Sequence, residues 1–229
     1  MERPIITVPP DVFRTTSVDW DIDWREQSAG VSTGGRRNIL LGQLPRWIGS
    51  PELVLHGERL RLWRAHRWAG RGLTGIYRLT MSDPVGRTST GFEVAPIGLA
   101  EGVPFGDGSP FGDGSHFEHR FKVVCVGDAP AGSGEIVIDE SAAVAPVQVG
   151  QILSHDDWPF GVTSKMPESA PGHYRLTIEM PLRRPIADGA LIDLAATGLF
   201  ELTDARSANP AYGLDRVARP SLQLQEWLR

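Results

Sequence analysis

The chain has 229 residues and a mass of 25.0 kDa, enough for one large domain or two small ones, and 41% hydrophobic residues are enough to build a core. A net charge of −5 and an isoelectric point near 5.7 argue against a protein whose main task is to grip nucleic acid. The 26 glycines and 18 prolines favour many short strands, and no run approaches the roughly 18 apolar residues of a membrane span.

The first clear element is an alternating segment, Val18 to Trp24, which predicts a half-buried strand. Its apolar side chains and its aspartates point to opposite faces, because successive residues of a strand alternate. Asp19, Asp21 and Asp23 are therefore predicted to lie on a solvated face, spaced about 7 Å apart. A calcium loop would need a glycine-containing turn to make the carboxylates converge, so the solvated face is the favoured interpretation.

The segment from Glu58 to Trp68 is the best helix candidate. Leu60, Trp63 and Arg67 share one side of it, and Gly70 is its expected end. We expect its arginines to form mainly a solvated face, and docking on an acidic partner surface is the alternative. These arginines are Arg59, Arg61, Arg64 and Arg67.

A duplicated hexapeptide occupies residues 104–115, as PFGDGSPFGDGS. The stretch from about residue 95 to 115 has no periodic apolar pattern, so it is predicted to be an ordered loop. Each Asp-Gly pair favours a tight turn, and each phenylalanine can anchor that turn on a surface. Two acids are too few for a stacked calcium-binding array, although a weak metal site is the alternative, and a phosphate cradle is excluded because no phosphate-loop motif follows.

The chain after Phe117 predicts seven short strands at near-regular spacing, typical of a small β-barrel or sandwich. Two further strands are predicted around the helix, and Ser221 to Leu228 is an apolar segment that can return to pair with the first domain. The predicted strands after Phe117 are His119–Val126, Gly134–Asp139, Gly150–His155, Phe160–Ser164, Tyr174–Met180, Ala190–Ala195 and Gly198–Leu202, and those flanking the helix are Glu52–His56 and Gly75–Met81.

No catalytic constellation is found in the sequence, and we expect no cofactor and no enzyme activity. The run His155-Asp156-Asp157 is interpreted as a turn, because three consecutive residues rarely converge on one ion. Cys125 lies in an apolar run and is expected to be a buried, inert thiol. With a single cysteine and no signal-like start, the chain is expected to fold in a reducing cytoplasm.

Three C-terminal segments resemble the distal tail proteins of long-tailed, siphovirus-like bacteriophages and of gene transfer agents. They are GQILSHDDWPFGVTS (150–164), YRLTIEMPLRRPIADGALIDLAATGLFEL (174–202) and NPAYGLDRVARPSLQLQEWL (209–228). The strand around Trp20, the arginine-rich helix, YRLTMSDP (77–84) and the hexapeptide repeat occur in the order that the family shows. The resemblance covers most of the chain.

The resemblance implies a mainly β protein that assembles as a homo-oligomeric ring, a hexamer, at the end of the tail tube. A β-sandwich-like ring-forming domain with one α-helix would use residues 1–96 and be completed by a returning strand within 212–229. The Gly-rich repeat loop would occupy 97–116, and a second small β-barrel or sandwich domain would occupy 117–211.

The implied partners are other copies of the chain, the tail tube protein, the baseplate hub protein and the tape-measure protein. DNA would pass through the ring without specific binding, and the protein would be located in the virion, at the tail tip, after assembly in the host cytoplasm. An acidic lumen would not hold the phosphate backbone, and Asp19, Asp21 and Asp23 are candidates to line it. The candidate interface and loop anchors are Phe105, Asp107, Phe111, Asp113, Arg61 and Arg64.

An alternative function of a different class is a β-sandwich carbohydrate-binding module that recognises a host surface. Exposed tryptophans would stack on sugar rings, and the candidates are Trp20, Trp24, Trp63, Trp68 and Trp158. Burial is the favoured interpretation for the first four, because two lie on the apolar face of a strand and two on the helix. A cell-wall hydrolase has the least support.

Overall fold

The computed structural model of the chain describes residues 3–13, 15–31, 34–35, 37–40, 44–81, 112, 122–143, 145–204, 206–214 and 216–229. Over these ranges the protein is mainly β with one α-helix, and the predicted fold class is confirmed. The helix is α1 (Gly57–Gly70), followed by a short 3-10 turn at Gly72–Thr74. The strands are β1 (Ile5–Thr7), β2 (Thr15–Ser17), β3 (Asp21–Asp23), β4 (Gln27–Val31), β5 (Arg37–Leu40), β6 (Arg46–Gly49), β7 (Glu52–Leu53), β8 (Leu55–His56), β9 (Ile76–Thr80), β10 (Lys122–Cys125), β11 (Glu135–Asp139), β12 (Ile152–His155), β13 (Trp158–Pro167), β14 (His173–Glu179), β15 (Leu191–Asp193), β16 (Thr197–Leu202), β17 (Val217–Ala218) and β18 (Leu224–Glu226).

The chain divides into two compact units. The first comprises residues 1–8, 14–78 and 199–229, and the second comprises 9–13 and 79–198. The division falls within β9 and within β16. It differs from the predicted limits at residues 96 and 211, because the segment after residue 198 belongs to the first unit.

A six-stranded sheet has the order β1-β9-β16-β18-β6-β3. β1 runs parallel to β9, whereas β18 pairs antiparallel with both β16 and β6. Three two-stranded sheets, β17-β8, β2-β7 and β4-β5, accompany it in the described ranges of the first unit. The returning C-terminal segment thus lies inside the six-stranded sheet rather than at its edge.

The core of the first unit forms where α1 packs against β1, β8 and β17. Trp63 is fully buried, its ring lies 6.2 Å from that of Tyr77, and its indole N–H donates to the Ala208 carbonyl at 3.0 Å. The helix ends at Gly70 as predicted, and Arg71, the residue after it, adopts the left-handed conformation with φ 48°. Gly70 is also a packing residue, since a Cβ there would lie 2.2 Å from the Tyr77 hydroxyl.

A closed barrel of six antiparallel strands, in the order β10-β11-β14-β13-β12-β15, forms the centre of the second unit. Strands β10, β11, β14 and β15 alternate between buried and more exposed residues, as a small barrel filled by side chains requires, whereas β12 and the start of β13 each have three consecutive buried residues. In β11, for example, Ile136 and Ile138 are buried while Glu135 is exposed. Of the two alternatives for this half of the chain, the structure has the barrel.

The prediction of seven strands in this domain is wrong by one. Six of them match β10 to β15, but the seventh is β16, which pairs with β18 in the six-stranded sheet. The spacing of strands along the sequence does not reveal which sheet a strand joins, and β16 follows β15 as closely as barrel strands follow each other. Its partner lies more than 20 residues further along the chain.

A buried ion pair holds the loop after β11 against the barrel. Lys165 Nζ lies 2.7 Å and 2.8 Å from the two carboxylate oxygens of Glu140, donates to the Val147 carbonyl at 3.0 Å, and lies 4.0 Å from the centre of the Tyr174 ring. The side chains of Lys165 and Glu140 are only 16% and 8% exposed. Glu140 also accepts the Val147 N–H at 2.8 Å, so the pair is fully hydrogen-bonded.

We predict that Lys165→Met destabilises the second unit by about 3–5 kcal/mol, because it leaves the Glu140 carboxylate buried without its cation. The double variant Lys165→Met/Glu140→Gln should recover much of this loss, since it removes both charges. Urea unfolding measures both free energies. The control is Arg175→Met, which breaks the exposed Arg175–Glu168 pair and should unfold close to the wild type. Equal effects of Lys165→Met and Arg175→Met would contradict the prediction.

We also predict that Gly70→Ala destabilises the first unit by about 1–3 kcal/mol, because the added methyl group overlaps the Tyr77 hydroxyl. Adding Tyr77→Phe should restore part of the stability, since that hydroxyl is buried and has no hydrogen-bond partner among the described residues. Gly134→Ala is the matched control, because its nearest heavy atom would lie 3.9 Å from the new Cβ. Thermal unfolding of the four proteins is the measurement, and an unchanged Gly70→Ala midpoint would refute the clash.

Candidate interaction surface

The arginines of α1 lie on a helix that the local sequence stabilises at both ends. Glu58 in the first turn and Arg67 in the last turn complement the helix dipole. The buried side carries Leu60 and Trp63, and Arg61 lies on the exposed side as predicted. The helix therefore presents a basic face that packing leaves accessible.

Arg64 is held between two aromatic rings. Its guanidinium carbon lies 4.9 Å from the Trp68 ring centre and 5.9 Å from the Tyr212 ring centre. It also donates to the Tyr212 hydroxyl at 3.1 Å. Stacking of this kind holds a guanidinium in a fixed direction and keeps its charge, which suits recognition of a carboxylate.

Residues 209–214 and 216 lie beside the stack that Arg64 forms with Trp68 and Tyr212. Asn209 accepts a hydrogen bond from Arg67 at 3.2 Å, and Tyr212 forms an isolated bridge to Ala218. We call the group formed by Arg61, Arg64, Arg67, Trp68 and Tyr212 the arginine–aromatic surface. Two grooves flank Arg64, and the larger one, of about 430 Å³, is lined by Gly57, Glu58, Leu60, Arg61, Arg64, Tyr212 and Arg216.

Large apolar groups are exposed on and beside this surface. Trp68 is 68% exposed and Tyr212 is 47% exposed, and Leu214 in the same loop is fully exposed. Aromatic residues and arginine are enriched at protein interfaces, and exposed apolar groups in one region mark a contact site more often than isolated ones do. The arrangement is suited to binding another macromolecule.

The three predicted aspartates lie in and beside β3, and all are exposed. Each carboxylate accepts a backbone N–H: Asp19 from Ser50, Asp21 from Ile22, and Asp23 from Arg25. The predicted solvated face is confirmed, although β3 covers only residues 21–23 rather than 18–24. The order of strands in the sheet places β3, and with it these acids, at an edge, since β3 is the last strand of the six-stranded sheet.

The tryptophans separate into buried and exposed groups. Trp63 and Trp158 are buried, and Trp20 is half-buried with its ring 5.0 Å from that of Phe200. The expected burial of Trp24 and Trp68 is wrong, because Trp24 lies after the end of β3, next to Arg25, whose φ of 51° takes the backbone out of the extended conformation. Trp68 is five positions after Trp63, which turns it about 140° around the helix, away from the core.

The predicted loop anchors Phe105, Asp107, Phe111 and Asp113 lie outside the described residues. Sequence reasoning found Arg61 and Arg64 but missed Asn209 and Tyr212. The i, i+4 spacing of Arg64 and Trp68 is a signal for their stacking. No signal connects Tyr212 to α1, because it is 148 residues away from Arg64.

The run His155-Asp156-Asp157, considered above as an ion site, has a structural role. His155 closes the β12–β13 hairpin, and Asp156 and Asp157 form its two-residue turn with φ of 51° and 62°, which confirms the predicted turn. His155 Nδ1 lies 2.9 Å from the Leu191 carbonyl. Within the ranges that the structure covers, no three His, Cys, Asp or Glu side chains are grouped to hold a metal ion.

Cys125 is 1% exposed, as predicted for a buried thiol. Burial raises the pKa of this thiol, and the nearby carboxylates of Asp188 and Asp128 raise it further. Its Sγ lies 3.4 Å from the Gly127 carbonyl. The thiolate is therefore disfavoured as well as shielded.

We predict that a thiol-specific chromogenic reagent reacts with native Cys125 at least about 100-fold more slowly than with the urea-unfolded chain. Because the pKa is raised in the folded state, the native rate should begin to increase only at a higher pH than the rate of the unfolded chain. Stopped-flow absorbance from neutral to alkaline pH measures both rates. Rapid stoichiometric labelling of the native protein at neutral pH would contradict this.

Comparison with known proteins adds no family assignment, since neither a protein-family model nor a curated protein sequence matches the chain. No α-helix in the described ranges has the length and apolar character needed to cross a membrane.

Proposed function

We propose that this chain is a structural protein of a bacteriophage tail, a distal tail component that forms a homo-oligomeric ring joining the tail tube to the baseplate hub. The ring would be a hexamer, would let DNA pass, and would contact the tube protein, the hub protein and the tape-measure protein. The protein would reside at the tail tip of the virion after assembly in the host cytoplasm.

The observation that carries this proposal is the way the two units are connected. A sheet unit with one helix is interrupted between β9 and β16, and the interruption contains the closed six-stranded barrel. The resemblance implies a β-rich ring-forming domain with one helix, a second small β domain, and a C-terminal strand that returns to the first. The described architecture is compatible with each of these three expectations.

The arginine–aromatic surface supports the proposal independently of the resemblance. An exposed tryptophan and tyrosine on either side of an arginine are typical of a protein contact rather than of a catalytic pocket. A ring needs a surface of this kind, because each copy contacts one neighbour through one patch and the other neighbour through a different patch.

The sugar-binding alternative receives less support from the same geometry. One of the two exposed tryptophans, Trp68, already stacks on Arg64, and Tyr212 beside it stacks on the same guanidinium. The other exposed tryptophan, Trp24, stacks on no aromatic ring in the described ranges, so no platform of rings forms around it there.

We predict that the purified protein forms rings with an open centre, alone or after addition of the tail tube or hub protein. Negative-stain imaging detects the rings, and mass photometry across a concentration series should find a species at six times the 25.0 kDa of one chain. A monomer that persists with both partners present would contradict the proposal. A glycan array would then test the carbohydrate-binding alternative.

A further inference from the structure

Arg61 and Arg64 of the arginine–aromatic surface carry positive charge that no carboxylate in the described ranges neutralises. Residues 58–71 contain five arginines and one glutamate, although the whole chain has a net charge of −5. Arg61 and Arg64 form no ion pair with any carboxylate in the described ranges. Their charge is therefore available to an acidic partner surface.

The groove beside α1 has the chemistry to receive carboxylates. The guanidinium-bearing residues Arg61, Arg64 and Arg216 line it together with the ring of Tyr212. Guanidinium groups bind carboxylates through paired hydrogen bonds, and a partly shielded groove strengthens such contacts compared with a flat surface. Glu58 is the one acidic residue in the lining.

The complementary surface is present on the same unit. Asp19, Asp21, Asp23 and Glu26 are exposed just before, in and just after β3, with Arg25 as the one basic residue between positions 18 and 26. We call these four residues the acidic edge. β3 is an outer strand of the six-stranded sheet, so no further strand of that sheet covers it.

The two surfaces belong to different elements of the first unit. The arginine–aromatic surface is built on α1, which contacts β1, β8 and β17, and the acidic edge belongs to β3 and its flanks. In the six-stranded sheet, β1 and β3 are the two outer strands, and the five strand spacings between them correspond to about 24 Å. Two different and complementary patches on one unit are what a head-to-tail contact between identical copies requires.

We infer that copies of this chain associate head to tail, with the arginine–aromatic surface of one copy receiving the acidic edge of the next. This inference rests on the proposed ring and names its contact. It assigns Asp19, Asp21 and Asp23 to the interface between copies, which is an alternative to lining the lumen. Repeated around a closed ring, the same contact uses both surfaces of every copy.

Charge reversal on either surface tests the contact. The first variant, Arg61→Glu/Arg64→Glu, makes both surfaces acidic, and the second, Asp21→Arg/Glu26→Arg, makes both basic. Asp21 and Glu26 are chosen because, among the described residues, Asp21 accepts only the N–H of Ile22 and Glu26 forms no hydrogen bond or ion pair. Each variant alone should associate at least about tenfold more weakly than the wild type, because like charges then meet.

An equimolar mixture of the two variants should recover association to within a few-fold of the wild type. In the mixture, the reversed helix of the first variant meets the reversed strand of the second, and the unchanged surfaces meet each other. Mass photometry measures assembly, and the wild type should assemble less at high salt because charged contacts are screened. The single variant Arg61→Glu should also weaken association. Because it leaves the stack of Arg64 on Trp68 intact, it separates loss of the contact from a folding defect in the double variant.

The controls are Arg184→Glu and Glu179→Arg, exposed barrel positions that change the net charge in the same two directions. They should assemble like the wild type. If the wild type forms rings but either reversal leaves them intact, or if the mixture assembles no better than its parts, the head-to-tail contact is overturned while the proposed function stands. If the wild type forms no ring under any condition, the proposed function itself fails.

Discussion

The pairing of β16 with β18 is the contact on which the first unit depends. The sheet order places these two strands between the pair β1–β9 and the pair β6–β3, so they join two halves that otherwise share no hydrogen bonds within this sheet. Glu226 of β18 strengthens the contact of β18 with β6, since its buried carboxylate accepts the N–H of Trp47 in β6 at 3.1 Å. A buried carboxylate is stable only when it is hydrogen-bonded, and this bond fixes the register of β18 against β6.

Local patterns in the sequence predict elements well, but they do not predict partners. The aspartates of β3 face solvent because alternation dictates it, and α1 forms where Gly and Pro are absent from an amphipathic stretch. Turn residues between apolar runs located the barrel strands. The sheet that β16 joins and the loop that brings Tyr212 to Arg64 depend on contacts between residues far apart in the chain, and no local pattern encodes these. The exposure of Trp68 follows from its angle around the helix, which could be read from the spacing alone.

The two charged surfaces of the first unit are built on different elements. α1 contacts β1 at one edge of the six-stranded sheet as well as β8 and β17, and Asp21 and Asp23 lie in β3 at the other edge. A chain with net negative charge that places five arginines within residues 59–71 has an uneven surface potential. Such a distribution favours oriented association over random aggregation, because like patches repel each other and unlike patches attract.

In the sequence, the barrel segment lies between the two larger segments of the first unit, and this order has a consequence for protein synthesis. The ribosome makes β1 to β9 first, then the barrel, and only afterwards β16 and β18. The barrel strands follow one another in the chain, so the barrel can close during translation, while the early strands wait for their central partners. During that interval the apolar side chains of β6 and β9 lack their final cover, and the nascent chain is open to binding by chaperones. Because the six-stranded sheet is completed last, a chain could associate with other copies only after its synthesis is finished.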